Sequence, residues 1–172
     1  SPDETADVGY VDRETRCFHK VGQTLAWCHQ QGAMTLWLKH RPLTFVYNDF
    51  IEREGAWQPI ARVHSIDEGE VGHYEVPLYT VSGDGRWGVT LNFSRIRRRG
   101  YSYALAGLPV GGPAPDLDGD GLSLVDLESG DIRLIASYRD LMERHPFPYD
   151  LNLGSGRRVY MWLNHAIFNC DA

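Results

Sequence analysis

An all-β fold is predicted by three observations, and the third narrows it to a partial β-propeller of four-stranded antiparallel blades. Short runs of aromatic and β-branched residues, such as Leu43-Thr44-Phe45-Val46-Tyr47, Ile60-Ala61-Arg62-Val63-His64 and Leu122-Ser123-Leu124-Val125, are broken by Gly, Pro, Asp and Asn. Helical periodicity is confined to Ser137 to Arg144, about two turns. One unit recurs: an apolar strand, an acidic turn, then a second strand. It starts at Val8, Ala61 and Leu122, and its turn aspartates, Asp12, Asp67 and Asp126, lie 55 and 59 positions apart. A period of that size with four strands per unit is the pattern of a propeller; a β-sandwich with similar hairpins is the alternative.

The repeat then orders the elements. Residues 1–21 supply the two outer strands of one blade. A full blade follows at 26–76 and a second at 78–136. Residues 160–172 open another with Tyr160 to Phe168. Propellers close with about four to eight blades, and this chain supplies about three, so it is expected to be a fragment of a longer protein.

Composition bounds the function. The chain has 172 residues, 42% hydrophobic and 23% charged, which suits a single globular domain. Seventeen basic residues face 23 acidic ones, and the net charge of −6 argues against a nucleic-acid partner. No apolar run is long enough for a membrane span. The opening Ser-Pro-Asp-Glu-Thr does not read as a signal peptide, which leaves the compartment open. Cys17, Cys28 and Cys170 are odd in number and match no zinc-ribbon spacing; a Cys17–Cys28 disulfide and three reduced thiols both remain open.

The chemistry concentrates in Pro77 to Arg95, which reads as strand, Gly-Asp-Gly turn, strand. An antiparallel hairpin brings its two open ends together, so Tyr79 and Arg95 should meet although 16 positions apart. A phenol beside a guanidinium is suited to drawing a proton from a carbon next to a carboxylate. The bland alternative is a packed tyrosine and a surface ion pair. In a four-stranded blade the links after the second and fourth strands share a face. Four such links are expected here: Gly22 to Gly32, Asn48-Asp49-Phe50 onward, Arg95 to Tyr103 leading into residues 107–121, and Glu143 to Arg158. Their His, Gln, Tyr and Arg content describes a ligand face. Arginine suits carboxylates because its fork donates two parallel hydrogen bonds. The run Arg95 to Arg99 is therefore read as a site for small anionic groups, and Trp27, Tyr101 and Tyr103 as flat faces for sugar rings. Asp116-Leu117-Asp118-Gly119-Asp120 resembles the start of a calcium loop but lacks the closing glutamate.

On these residues the chain resembles the bacterial seven-bladed β-propeller polysaccharide lyases, the ulvan lyases most closely and the oligogalacturonate lyases more distantly. The resemblance rests on Trp27-Cys28-His29-Gln30-Gln31-Gly32, Tyr47-Asn48-Asp49, the Tyr79 to Arg95 hairpin ending Asn-Phe-Ser-Arg, Gly100-Tyr101-Ser102-Tyr103 and Asn164-His165-Ala166-Ile167-Phe168-Asn169. It implies β-elimination on a uronic-acid-containing polysaccharide, with an anionic glycan as partner and a periplasmic or secreted setting. Tyr79 would be the proton-transferring tyrosine, Arg95 the carboxylate-binding arginine and His29 an assisting histidine. Gln30, Gln31, Asn48, Tyr101 and Tyr103 would contact substrate. His165 would match one ligand of a structural zinc whose other ligands lie beyond Ala172. The chain departs from the family in its histidine pair, for which His29 is the one candidate. A carbohydrate-binding propeller without catalysis and a protein-interaction propeller are the alternatives.

Overall fold

The computed structural model describes residues 4–96, 115–144 and 162–169. These residues are mostly β, in three antiparallel sheets with one short helix. The first sheet pairs β1 (Ala6–Val11) with β2 (Phe18–Thr24). The second is a four-stranded meander of β3 (Leu36–Trp37), β4 (Thr44–Arg53), β5 (Ala56–Ser65) and β6 (Gly69–Tyr74). The third is an equivalent meander of β7 (Thr80–Val81), β8 (Trp87–Leu91), β9 (Gly121–Asp126) and β10 (Ile132–Ser137). Helix α1 (Tyr138–Arg144) follows β10 directly, where the sequence shows its helical periodicity. No helix among the described residues is long and apolar enough to cross a membrane.

Strand β4 lies between layers, and its sequence explains why. Successive side chains of a strand point to opposite faces. Phe45 and Tyr47 pack with Val8 of the first sheet and Ala33. Val46, between them, packs with Val63, Leu78, Val125 and Leu127 on the side of the third sheet. Because both faces are covered, the strand reads as a continuous apolar run instead of an alternation. Phe45 and Val46 are fully buried, and burying a side chain of this kind contributes about 1.5–3 kcal/mol.

The strand is longer than its sequence suggests. Asn48-Asp49-Phe50, read above as a link on the ligand face, is interior to β4 and fully paired with β5: Asn48 opposes Ala61 and Asp49 opposes Ile60. The actual link is a tight turn at Glu54-Gly55, both with positive φ. Polar residues are tolerated inside this strand because they are satisfied there. The Asp49 carboxylate pairs with Arg62, which also reaches Glu70 at 2.7 Å. Its other oxygen lies 2.9 Å from the Thr24 hydroxyl.

The recurring aspartates occupy equivalent turns, each between the last two strands of its sheet. Asp12 Oδ1 accepts from the N–H groups of Glu14 (2.8 Å) and Thr15 (2.7 Å). Asp126 Oδ1 accepts from Glu128 (2.9 Å) and Ser129 (3.2 Å) in the same pattern. The residue four positions on, Arg16 or Gly130, donates its N–H back to the aspartate carbonyl and has positive φ. Asp67 sits in the matching, shorter β5–β6 turn, where Ser65 Oγ accepts the Glu68 N–H at 3.3 Å.

Two expectations change. Residues 162–169 form no strand; they pack as irregular chain, through Trp162, Leu163 and Ala166, onto a cluster that contains Tyr79. Cys17 is exposed and Cys28 buried, and neither is in a disulfide. The pairing fails because the two sit in unrelated places, a surface turn and an inter-sheet cluster. Tyr101, Tyr103, Arg97 to Arg99, Cys170 and most of the third and fourth expected links lie outside the described residues.

The repeated turn has an acid signature. Hydrogen bonds from Thr15 backbone and side chain hold Asp12 below the ordinary 3.8, and those from Glu128 and Ser129 do the same for Asp126. A depressed folded value stabilises the fold above the unfolded value and is lost as pH falls through the folded one. The double variant Asp12→Asn, Asp126→Asn keeps acceptor oxygens and should show a shallower loss of melting temperature below about pH 4, read by circular dichroism across pH.

Candidate functional site: a tyrosine held at the open end of a hairpin

The expected strand–turn–strand forms as the β7–β8 hairpin. Thr80 opposes Val89, Val81 opposes Gly88, and Tyr79 extends the ladder by donating its N–H to Val89 at 2.7 Å. The turn is closed by Gly85 N–H to the Ser82 carbonyl at 2.9 Å, with Gly85 at φ +74°. This register brings Tyr79 to the end of the hairpin from which Asn92 to Arg95 emerge. The Tyr79 and Phe93 rings are 6.1 Å apart.

Both main chains at this end are fixed by side chains. Asn92 caps a short 3₁₀ turn, Phe93–Arg95, by accepting the Ser94 N–H at 3.1 Å, and donates its amide to Asp120 at 2.9 Å. On the other arm Asn48 reaches across from β4. Its amide donates to the Leu78 carbonyl at 2.9 Å and its oxygen accepts the Leu78 N–H at 2.8 Å. The Asn48 main chain donates to the Ala33 carbonyl at 2.8 Å and accepts from the Thr24 hydroxyl at 2.8 Å. Asn48 is fully buried. Expected as a substrate contact, it stands one layer behind the site, as a clamp on the residue that precedes Tyr79.

The Tyr79 hydroxyl uses its full hydrogen-bonding capacity. It accepts from Gln31 Nε2 at 2.7 Å and from the His165 main-chain N–H at 2.9 Å, and it donates to Asn164 Oδ1 at 2.6 Å. Gln31 is presented by a tight loop in which Cys28 and Gly32 exchange N–H···O bonds at 3.1 and 2.9 Å. His165 is presented by a left-handed backbone, φ +58°, a conformation that costs a non-glycine residue about 1–2 kcal/mol. Tyr79 itself is 4% exposed.

Arg95 is buried to 2% exposure and lies against Tyr138, the first residue of α1. The Tyr138 phenol is pushed up to about 12, chiefly by burial, with the Asp120 charge adding to the rise; the Arg95 charge and hydrogen bond and the Leu163 main chain oppose it. Arg95 is therefore engaged within the protein beside a phenol that stays protonated over the physiological range.

Of the residues expected from sequence, Tyr79 and Gln31 come together directly, and Arg95 occupies the other arm of the same hairpin end. His29 is exposed and packs edge-on against Trp27, with ring centroids 5.0 Å apart. Gln30 is exposed. His165 contributes its main-chain N–H, while its side chain lies on an exposed residue. No group of three or more His, Cys, Asp or Glu among the described residues is arranged to hold a metal ion. The described residues thus give His165 no further zinc ligands. The aspartates of the calcium-like run are used locally: Asp116 in its own turn, Asp118 with Arg139, and Asp120 with Asn92.

The sequence reading did not assign Asn164, Asn92, Tyr138 or Asp120 to the site. Asn164 carried a signal, since it opens Asn-His-Ala-Ile-Phe-Asn. Asn92 likewise opens the quoted Asn-Phe-Ser-Arg, while Tyr138 and Asp120 become site residues only through strand pairing across a long connection.

No protein-family model matches the sequence, and no curated protein and no solved structure matches it. The functional reading accordingly rests on the geometry of Tyr79 and its surroundings.

Two substitutions test that geometry. Asn48→Ala leaves the Leu78 N–H and carbonyl buried without partners, and should cost about 2–5 kcal/mol in urea unfolding. For Tyr138 the neutral phenol is favoured by folding, so its contribution is complete below the usual phenol value of 10.0 and is lost as pH rises towards about 12. Tyr138→Phe should flatten the fall in stability over that alkaline range, measured by melting temperature against pH.

Proposed function

We propose that the three sheets are consecutive blades of a β-propeller and that the end carrying Tyr79 and Arg95 binds a uronic-acid-containing glycan and cleaves it by β-elimination. The observation that carries this reading is the Tyr79 hydroxyl, held between two N–H donors, Gln31 Nε2 and His165 N, and the Asn164 oxygen. Two N–H groups are thus aimed at the atom that carries the negative charge once a tyrosine is ionised to act as a base. Phenols ionise near pH 10, so such a base needs fixed donors and a nearby cation to work near neutrality.

In the proposed reaction a cation neutralises the uronate carboxylate and makes the adjacent carbon-bound proton more acidic. Tyr79, first ionised by loss of its hydroxyl proton to solvent, removes that proton as the phenolate and becomes the neutral phenol. The electron pair forms the new carbon–carbon double bond, the glycosidic carbon–oxygen bond breaks, and the tyrosine returns the proton to the departing oxygen. Arg95 is the residue for carboxylate neutralisation, and Gln31 and Asn164 hold the phenol's orientation. The structural zinc that goes with the lyase resemblance would take His165 as one ligand.

A second reading, a carbohydrate-binding propeller without catalysis, is favoured by one observation: the Tyr79 oxygen is buried and saturated by protein groups. Elimination generates a conjugated double bond that absorbs in the near ultraviolet. Incubation with ulvan, polygalacturonate and alginate should raise that absorbance with at least one of them. Tyr79→Phe should lower the rate by about 10²–10⁴-fold, the range for loss of a general acid–base group. Glycan binding with a flat absorbance trace would select the second reading.

A further inference from the structure

A groove of about 500 Å³ runs between the second and third sheets beside the Tyr79 hairpin. Val76 and Pro77 line one side of it and lead into Tyr79; Leu91 to Ser94 line the other and lead into Arg95. Its size is that of a small-ligand site. Trp57, at the start of β5, lines it and is 40% exposed.

The polar groups of the groove select against anions. Among the described residues, those lining it include no Lys, Arg or His. Glu75 is held from outside by Arg53, through bonds of 2.6 and 3.0 Å. Asp120 faces the neutral amide of Asn92 at 2.9 Å, so its charge is not offset at that contact. A uronate or sulfate here would meet the Asp120 carboxylate. Sugar hydroxyls would instead find acceptors in Asp120 and Glu75 and mixed donor–acceptor groups in Gln58, Asn92 and Ser94.

An aromatic ring beside carboxylate and amide acceptors is the combination that holds an uncharged pyranose: the ring covers the apolar sugar face while the acceptors take its hydroxyls. We infer that this groove is a subsite for a neutral sugar residue, adjoining the position where the proposed reaction places a uronate. The inference rests on the glycan reading above, but it does not need the elimination step. It gives the protein a preference for mixed glycans in which charged and uncharged sugars alternate.

The test is titration of the protein with short cello- and galacto-oligosaccharides, and with oligogalacturonates of equal length, followed by calorimetry and tryptophan fluorescence. Saturable binding of a neutral oligosaccharide is expected. Trp57→Ala should weaken it about tenfold, the scale of one aromatic contact, with Trp57→Phe falling between. Asp120→Asn should improve binding of oligogalacturonate relative to the neutral ligand. No binding of any neutral oligosaccharide, or equal binding in folded Trp57→Ala, overturns the subsite. The two readings separate cleanly. Trp57-dependent binding without elimination supports the groove and rejects the catalytic step. Elimination whose KM on a mixed polymer is unchanged in Trp57→Ala rejects the groove alone.

Discussion

The double hydrogen bond between the Asn48 side chain and the Leu78 main chain is the constraint on which the site depends. A carboxamide presents one donor and one acceptor in a plane, the same pair that a strand neighbour would present. Asn48 therefore acts as a one-residue strand across the gap between two sheets. It ties the chain entering β7 to the middle of β4, the most buried strand. Its own main chain ties the Gln31 loop to the same point through Ala33. The two segments whose side chains meet at the Tyr79 oxygen thus share one anchor. A small displacement of β4 would carry both, so the Gln31–Tyr79 contact survives movements that would separate independently mounted residues.

Charge follows a similar arrangement. Buried ionic groups are costly unless they are compensated, and among the described residues they lie in two places. One joins Thr24, Asp49, Arg62 and Glu70 along the first and second sheets. The other gathers Arg95, Tyr138 and Asp120 where β9, α1 and the 3₁₀ turn meet. The second lies next to the proposed uronate position, and its composition matters there. Arg95 is almost fully buried against the neutral Tyr138 phenol, so a substrate carboxylate would reach it only once the groups that cover it move apart.

Much of the architecture was legible in the sequence, for physical reasons particular to each part. The hairpin was readable because its turn is local: Gly85 is required at φ +74°, and the flanking apolar runs set the register. The aspartate repeat was readable because each Asp accepts hydrogen bonds from residues two and three positions on, a contact inside one short window. Asn48 was misread as part of a link because an Asn-Asp pair resembles a turn when its partners are out of view. Those partners, Leu78, Arg62 and Thr24, lie 13 to 30 positions away. Tyr138 and Asp120 were invisible for the same reason. His29 drew notice by type, yet its ring is placed by Trp27, a neighbour that sequence spacing alone does not rank above Tyr79.

The two matching turns carry differences with a structural consequence. Asp12 to Cys17 and Asp126 to Asp131 share their main-chain hydrogen bonds and the two amide bonds to the aspartate oxygen, but the first adds a Thr15 hydroxyl bond to Asp12, has Arg16 where the second has Gly130, and ends on an exposed thiol. The segments are not interchangeable as wholes: Leu127 of the second is buried, donates its N–H to the Arg86 carbonyl and accepts from the Tyr74 hydroxyl, whereas the matching Arg13 of the first is exposed. Glycine in place of Arg16 alone would relieve a left-handed arginine and leave that exposed face of the first turn as it is.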